Sequence, residues 1–380
     1  MEKVDGRRIT LIAVTFLFAA LGAALLLPRD GYPLTGQVQL ETVVTGLDHP
    51  WSLAFLPDGR MLVSERDGAM RIADSGGTLS APLEGLPAVS AVGQGGLLDV
   101  VLHPQFESNR MVYFSFAEPR DGGNATSVGR GRLSSGEDRL ENVEIIFRQQ
   151  PAHDGGHHFG SRLVFDRNGA LFVTTGDRND LRDLVQQGGT HIGKVLRILE
   201  DGSVPADNPK VEGWLPEIWS MGHRNVQGAT LHPDTGVLWT VEHGARGGDE
   251  LNHPEAGKNY GWPVISYGRE YSFLPIGEGT AKPGMEQPVH YWDPSIAPSG
   301  LAFYTGEAMP AWRGSLFVGA LAGRHVARLT FVDGKVNAEE RLFEGVARFR
   351  DVRQGPDGFL YLLVDAGKPD GRILRVVPAR

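Results

Sequence analysis

From Gly36 onward, short apolar runs alternate with polar turns rich in Asp, Asn and Gly. Six copies of one unit recur, each a turn followed by a β-rich run: LPDGRMLVSERDG (Leu56 to Gly68), HPQFESNRMVYFSF (His103 to Phe116), DRNGALFVTTGD (Asp166 to Asp177), HPDTGVLWTVEHG (His232 to Gly244), RGSLFVGALAGRHVARL (Arg313 to Leu329) and GPDGFLYLLVDAG (Gly355 to Gly367). Each copy is preceded by another apolar stretch: WSLAFL, GLLDVVL, SRLVF, NVQGATL, SGLAFY and FRDVRQ. D-G and N-G turns between two such runs predict β-hairpins, because these residues accept the positive φ of a tight turn. A unit of this size cannot bury its own faces and must stack on its neighbours. Strand-only units favour blades over rungs of a solenoid, so the expected fold is all-β, a six-bladed β-propeller. The widest interval, Gly244 to Pro298, carries DELNHPEAGKNYGWPVISYGREY and is expected to contribute to a binding face, where propellers place extra loop length.

A different pattern precedes the repeats. Lys3, Arg7 and Arg8 stand before an uncharged run from Ile9 to Leu27, which ends at Pro28, Arg29 and Asp30. A basic flank followed by such a run predicts an N-terminal hydrophobic helix used for export, with the basic side kept inside. At 19 residues it is long for the apolar region of a signal peptide and just sufficient to span a bilayer, so a cleaved signal and a retained anchor both fit. The expected organisation is residues 1–35 as signal peptide or membrane anchor and 36–380 as one propeller domain. That domain would be periplasmic or extracellular, with membrane attachment through residues 9–27 if the segment is retained.

Composition narrows the classes further. The 51 glycines and 24 prolines show no collagen-like period and suit an all-β chain with many tight turns. A net charge of −9 without a basic run argues against a nucleic-acid partner. The absence of cysteine excludes disulfides, thiolate metal sites, a cysteine nucleophile and a lipoprotein anchor.

Candidate chemistry centres on AHDGGHHFGSRLVFDRNGALFVTTGD, Ala152 to Asp177. A histidine cluster precedes one short β-like run and a carboxylate follows it, so a turn-back of the chain would bring His158 and Asp177 to one rim. An imidazole oriented by a carboxylate is suited to taking a proton from a hydroxyl. A polar loop histidine paired for structural reasons fits the same residues. Further polar motifs sit between the expected strands: GQGGLLD, TGDRND, GHRNVQG, EHGARGGDELN, KNYGWP and RFRD. Arg348 and Arg350 alternate, so a strand would aim both guanidinium groups to one side, as a polycarboxylate ligand requires. The glycine-rich GARGGDE exposes carbonyl oxygens that, with Glu250, suit Ca2+. A solvated strand face and a plain surface turn remain the alternatives at these two places. His153, His157 and His158 fit no tetrahedral metal spacing well.

Taken in order, these motifs resemble the soluble quinoprotein glucose dehydrogenase and aldose sugar dehydrogenase family, over about Val43 to Val377. The most specific are HHFGSRL with TGD, HIGKVLRILEDGSVPADNP, GHRNVQG, GDELN followed by NYGWP, and RFRDV before a PDG turn. The resemblance implies a six-bladed propeller that oxidises aldose sugars with pyrroloquinoline quinone (PQQ) and Ca2+ and hands electrons to a further acceptor. It implies His158 as general base, Asp177 as its orienting partner and Arg224 as stabiliser of charge on the quinone. Gln94 and Asn225 would line the quinone beside Arg224, and Arg348 and Arg350 would pair with its carboxylates. Main-chain oxygens of Gly244 and Ala245 would hold one calcium, and Glu250 with the Tyr260 carbonyl a structural one. One departure stands out: Ala322 occupies the place of the family's cofactor-binding lysine, and Arg324 lies two residues on. Two other functions for such a propeller are a calcium-dependent lactonase, which would need a carboxylate-rich central metal site, and a non-catalytic binding propeller.

Overall fold

The structure, a computed structural model, describes residues 37–379. The expected export or anchor segment lies outside the described residues, and among those described no helix is long and apolar enough to cross a membrane. Six antiparallel sheets follow one another along the chain and form the blades of a β-propeller. The first strands of the blades are Pro50–Phe55, Leu97–Leu102, Leu163–Phe165, Val226–Leu231, Pro298–Phe303 and Phe349–Gln354. Each touches the first strand of the next blade, and the last touches the first, so they line the axis. The ring is closed by Val38–Leu47, which pairs with Gly371–Pro378 as the outermost strand of blade 6.

The repeated apolar runs are the second strands: Met61–Glu65, Met111–Arg120, Leu171–Thr174, Leu238–Glu242, Leu316–Ala320 and Leu360–Val364. Most are buried along their whole length, because each blade is packed on both faces by its neighbours. Such strands read as continuous apolar runs and not as alternation. Outer strands such as Lys335–Leu342 are largely exposed and read as polar. Between blades the packing is aromatic and aliphatic, with Phe114, Phe116, Leu62 and Leu97 meeting between blades 1 and 2, and Phe317, Phe349, Leu360 and Leu362 between blades 5 and 6. Each such side chain, fully buried, contributes about 1.5–3 kcal/mol.

Three local features depart from the repeat. The second copy turns through a short helix, Phe106–Asn109, and the fifth through a longer connection with a 3-10 turn at Pro310–Trp312, where the others use a tight turn. Blade 1 has three strands, and blade 3 gains a fifth from Lys258–Asn259, which joins in parallel from the long interval after Gly244. The same interval supplies both outer strands of blade 4, Asp249–Asn252 and His290–Trp292.

The axis is filled by charge pairs. Arg162 of blade 3 meets Asp99 of blade 2 at 3.1 Å, Asp351 of blade 6 at 3.0 Å and the Gln227 carbonyl of blade 4 at 2.8 Å. Arg353 joins Asp99 at 3.1 Å and Asp351 at 2.8 Å. Only a side chain at the centre could reach the inner strands of three other blades.

Candidate active site

The topology sorts the motifs onto two ends of the ring. The D-G and N-G turns, which connect first to second strands, all lie at one end. Residues just before a first strand or just after a second strand lie at the other. That end collects Gln94, His158, Arg224, Asn225 and Arg348 from the first group, and Arg66, Asp177, Gly244, Ala322 and Asp365 from the second.

His158 and Asp177 flank the first hairpin of blade 3 and meet through Nδ1 and Oδ1 at 2.6 Å. The carboxylate only accepts, so the proton sits on Nδ1 and Nε2 carries the lone pair. Asp177 is fixed from three further directions: Oδ1 accepts from the Asn179 N–H at 2.8 Å, Oδ2 accepts from Trp262 Nε1 at 2.9 Å, and its own N–H donates to the Arg224 carbonyl at 2.8 Å. His158 has φ 50°, a left-handed conformation that costs a non-glycine residue about 1–3 kcal/mol and persists only where its surroundings enforce it. Here the Gln94 side chain accepts the His158 N–H at 2.9 Å, and the chain at Gly176 runs so close that a Cβ there would lie 2.1 Å from the His158 carbonyl. Burial pushes the His158 imidazole below the ordinary histidine range, against the pull of the Asp177 hydrogen bond, and the charge of Arg224 adds to the lowering. Burial alone would raise Asp177, but the His158 hydrogen bond and nearby positive charge hold it below the usual carboxylate range. The pair is therefore poised as neutral imidazole beside carboxylate.

The arginines converge on the same mouth. Arg224 is buried, donates from Nη1 to the carbonyls of Gly244 at 2.5 Å and His243 at 3.2 Å, and lies 5.3 Å from the Trp262 ring. Arg350 is buried and donates from Nη1 to Gln227 Oε1 at 2.7 Å. Arg348 is half exposed, and both reach the Asp365 carboxylate, Arg348 at 3.2 Å and Arg350 at 3.8 Å. His243 lies within electrostatic reach of Arg350, Arg224 and His158, and burial with these charges pushes its imidazole down to about 3. Arg66 acts on the same carboxylate, so one carboxylate faces three arginines. Among the described residues, four buried donors at this mouth have no partner: Arg66 Nε, Arg224 Nε, Asn225 Nδ2 and Arg350 Nε.

Beside Arg224 a small cavity of about 10 Å³, the size of one water or ion, is lined by Glu242, Gly244, Gly248, Glu250, Tyr260 and Trp262 among others. Burial and the nearby Glu242 push the Glu250 carboxyl up to about 8. Asn252 Nδ2 donates to Glu242 and Glu250, each at 3.1 Å, while its buried Oδ1 has no partner. The Tyr260 hydroxyl donates to the His253 carbonyl at 2.7 Å and accepts the Glu255 N–H at 3.0 Å, so a cation would find its main-chain oxygen and not its phenol. These hard oxygens suit Ca2+. The Gly244 carbonyl is different, since it already accepts from the Arg224 guanidinium, so a cation on Gly244 and Ala245 would take the second lone pair of an oxygen that Arg224 shares. Among the described residues, no three or more His, Asp or Glu side chains are arranged to hold a metal. His153 pairs instead with Asp180 at 3.2 Å.

Ala322 is exposed, and its N–H donates to the Ile296 carbonyl at 3.0 Å. Arg324 does not replace a lysine there: its Nη2 donates to the carbonyls of Gly345 at 2.8 Å and Val346 at 3.4 Å, in the loop leading to Arg348. The sequence reading missed Trp262, Gln227, His243, Arg66 and Asp365. The first three lie inside motifs already singled out, but nothing in a motif tells which way its side chains turn.

The chain is similar to known sugar dehydrogenases in sequence and in fold. The family described as Glucose / Sorbosone dehydrogenase matches residues 47–375. The chain is 46% identical over 348 residues to aldose sugar dehydrogenase YliI of Escherichia coli (strain K12), covering 90% of this chain and 93% of that one. A crystal structure of a glucose dehydrogenase superposes with a TM-score of 0.87 at 51% identity, over 90% of this chain and all of the other. The PQQ-bound form of an aldose sugar dehydrogenase from Streptomyces coelicolor superposes with a TM-score of 0.75 at 32% identity, over 91% of this chain and 99% of that one.

Proposed function

The chain belongs to the Glucose / Sorbosone dehydrogenase family, and from that premise we propose that it is a PQQ-dependent enzyme oxidising the anomeric C1 hydroxyl of aldose sugars to lactones. The observation that carries this reading is the set of four partnerless buried donors, Arg66 Nε, Arg224 Nε, Asn225 Nδ2 and Arg350 Nε, in a mouth where one carboxylate faces three arginines. Buried polar groups are normally satisfied, so this site suits a flat, acceptor-rich polyanion. PQQ fits that description and, when bound, supplies the acceptor for the hydride that leaves C1, with Ca2+ assisting as a Lewis acid.

The protein's own part is binding and proton transfer. Arg348 and Arg350 face the ligand's carboxylates, Asn225 and Arg224 offer donors to its oxygens, and Gln94 fixes the backbone of the base. His158 Nε2 takes the proton of the C1 hydroxyl, and the Asp177 carboxylate stabilises the imidazolium that results. Trp262 keeps Asp177 in line. Glu250 and the Tyr260 carbonyl would hold a structural Ca2+. Residues 1–35 are assigned to export or anchoring and 36–380 to the catalytic propeller, which acts outside the cytoplasmic membrane and passes electrons to a further acceptor. The lactonase alternative loses support at the axis, where the carboxylates of Asp99 and Asp351 are bound to arginines.

The test is sugar-dependent dye reduction by apoprotein reconstituted with PQQ and Ca2+. His158→Gln should lower kcat by roughly 10²–10⁴-fold. Turnover at the parent's rate would remove His158 from the role of base, and a parent that reduces no dye with any aldose would remove the function.

A further inference from the structure

Gln227 sits on the first strand of blade 4, two residues beyond Asn225, and is 6% exposed. Its side chain joins two of the groups that face the mouth: Oε1 accepts Arg350 Nη1 at 2.7 Å, and Nε2 donates to Asn225 Oδ1 at 3.3 Å. Chemistry fixes the orientation of both amides. A guanidinium only donates, so the Gln227 atom facing Arg350 must be oxygen. The Gly160 N–H donates to the Asn225 side chain at 3.1 Å, so the atom there must also be oxygen. The Asn225 amide nitrogen is thereby turned away from both partners, and it is one of the donors left free. Gln227 thus holds Arg350 from one end of its amide and, together with the Gly160 N–H, holds Asn225 from the other.

The charge at this position is equally telling. A buried arginine held for stability alone would be expected to meet a carboxylate, since buried charges are usually paired. Arg350 meets a neutral amide at hydrogen-bond distance, and its nearest carboxylate, Asp365, lies at 3.8 Å and is shared with Arg348 at 3.2 Å and His49 at 3.2 Å. Gln227 therefore holds the guanidinium in place without cancelling its charge. A second bond anchors Gln227 itself: its main-chain carbonyl accepts Arg162 Nε at 2.8 Å, tying it to the axial ion pairs.

We propose that Gln227 is a positioning residue of the cofactor site, whose neutral amide keeps Arg350 and Asn225 aimed at, and electrically available to, a planar acidic ligand. This rests on the PQQ reading above. Its signature is a split between stability and binding. In Gln227→Glu, the isosteric carboxylate gives Arg350 a counter-ion, which holds or raises the stability of the apoprotein, while cancelling the charge that the ligand needs and removing the donor to Asn225. A merely structural glutamine would show no such opposition.

The experiment is spectroscopic titration of apoprotein with PQQ at fixed Ca2+ and ionic strength, beside thermal melting without PQQ, for the parent, Gln227→Glu and Gln227→Met. Gln227→Glu should bind PQQ roughly ten- to a hundredfold more weakly, with an unchanged or higher Tm and a shallower dependence of Kd on salt. Gln227→Met should also bind more weakly, with a lower Tm because Arg350 has lost a partner. A parent that binds PQQ alongside a folded Gln227→Glu variant of equal Kd overturns this proposal and leaves the PQQ reading standing. Should Gln227→Glu not fold, an unchanged Kd in Gln227→Met overturns it instead. A parent that binds no PQQ overturns the reading and this inference with it.

Discussion

His158 and Asp177 act as one unit, and their coupling sets two expectations. Because burial holds the imidazole below the ordinary histidine range, the proposed base is neutral through the physiological range. The acid limb of kcat/KM should therefore lie at lower pH than an unperturbed imidazole would give. Asp177→Asn removes the negative charge that opposes this lowering, so the acid limb should move further down in pH. The same change frees the tautomer and should lower kcat roughly 10²–10⁴-fold, both readable from one pH series of dye reduction. This pair was legible in the sequence because its members flank a single hairpin. Trp262 was not, since it reaches Asp177 across 85 residues, and the Gln227 to Arg350 contact spans 123. Spacing along the chain encodes partners within a hairpin, whereas partners in different blades meet only once the ring exists. Arg348 and Arg350 show both sides of this: their alternation correctly brought them to one side, but their shared partner Asp365 could not be read from it.

The hairpins that make up each blade were the most legible elements, because burial on both faces writes the second strands as unbroken apolar runs and the turns carry residues suited to positive φ. Those turns lie at the end of the ring opposite His158, so damage there should be separable from activity. At Gly59, φ is 88° and a Cβ would touch nothing within 4 Å, so Gly59→Ala bears only the cost of the backbone conformation. It should lower stability by about 1 kcal/mol, seen as a lower Tm with kcat/KM unchanged. The interval from Gly244 to Pro298 was read only as a site-forming insertion. Its strands were hidden because Lys258–Asn259 joins a different blade and Asp249–Asn252 is too polar to look like a strand. The oxygen-lined cavity on this element suggests a direct measurement. A hundredfold excess of Ca2+ over its Kd should stabilise the native state by about 2.7 kcal/mol, and Glu250→Gln should abolish the rise in Tm.

At the scale of the whole molecule, the blades are held at the axis by ion pairs that no repeat pattern announces. Arg162 is 1% exposed and serves two carboxylates, so Arg162→Met would leave Asp99 and Asp351 buried with only Arg353 to balance them. Breaking a buried network from one side costs about 3–5 kcal/mol, and chemical denaturation should show a loss of that order. Closure of the ring depends on a still longer reach, the pairing of Val38–Leu47 with Gly371–Pro378. Glu41 and Arg375, 334 residues apart, meet across this clasp at 2.9 Å, so hairpins can form within each blade while the circle locks only when both strands are present. Until that pairing is made the six blades are an open row, and the two strands of the clasp are what fasten it end to end.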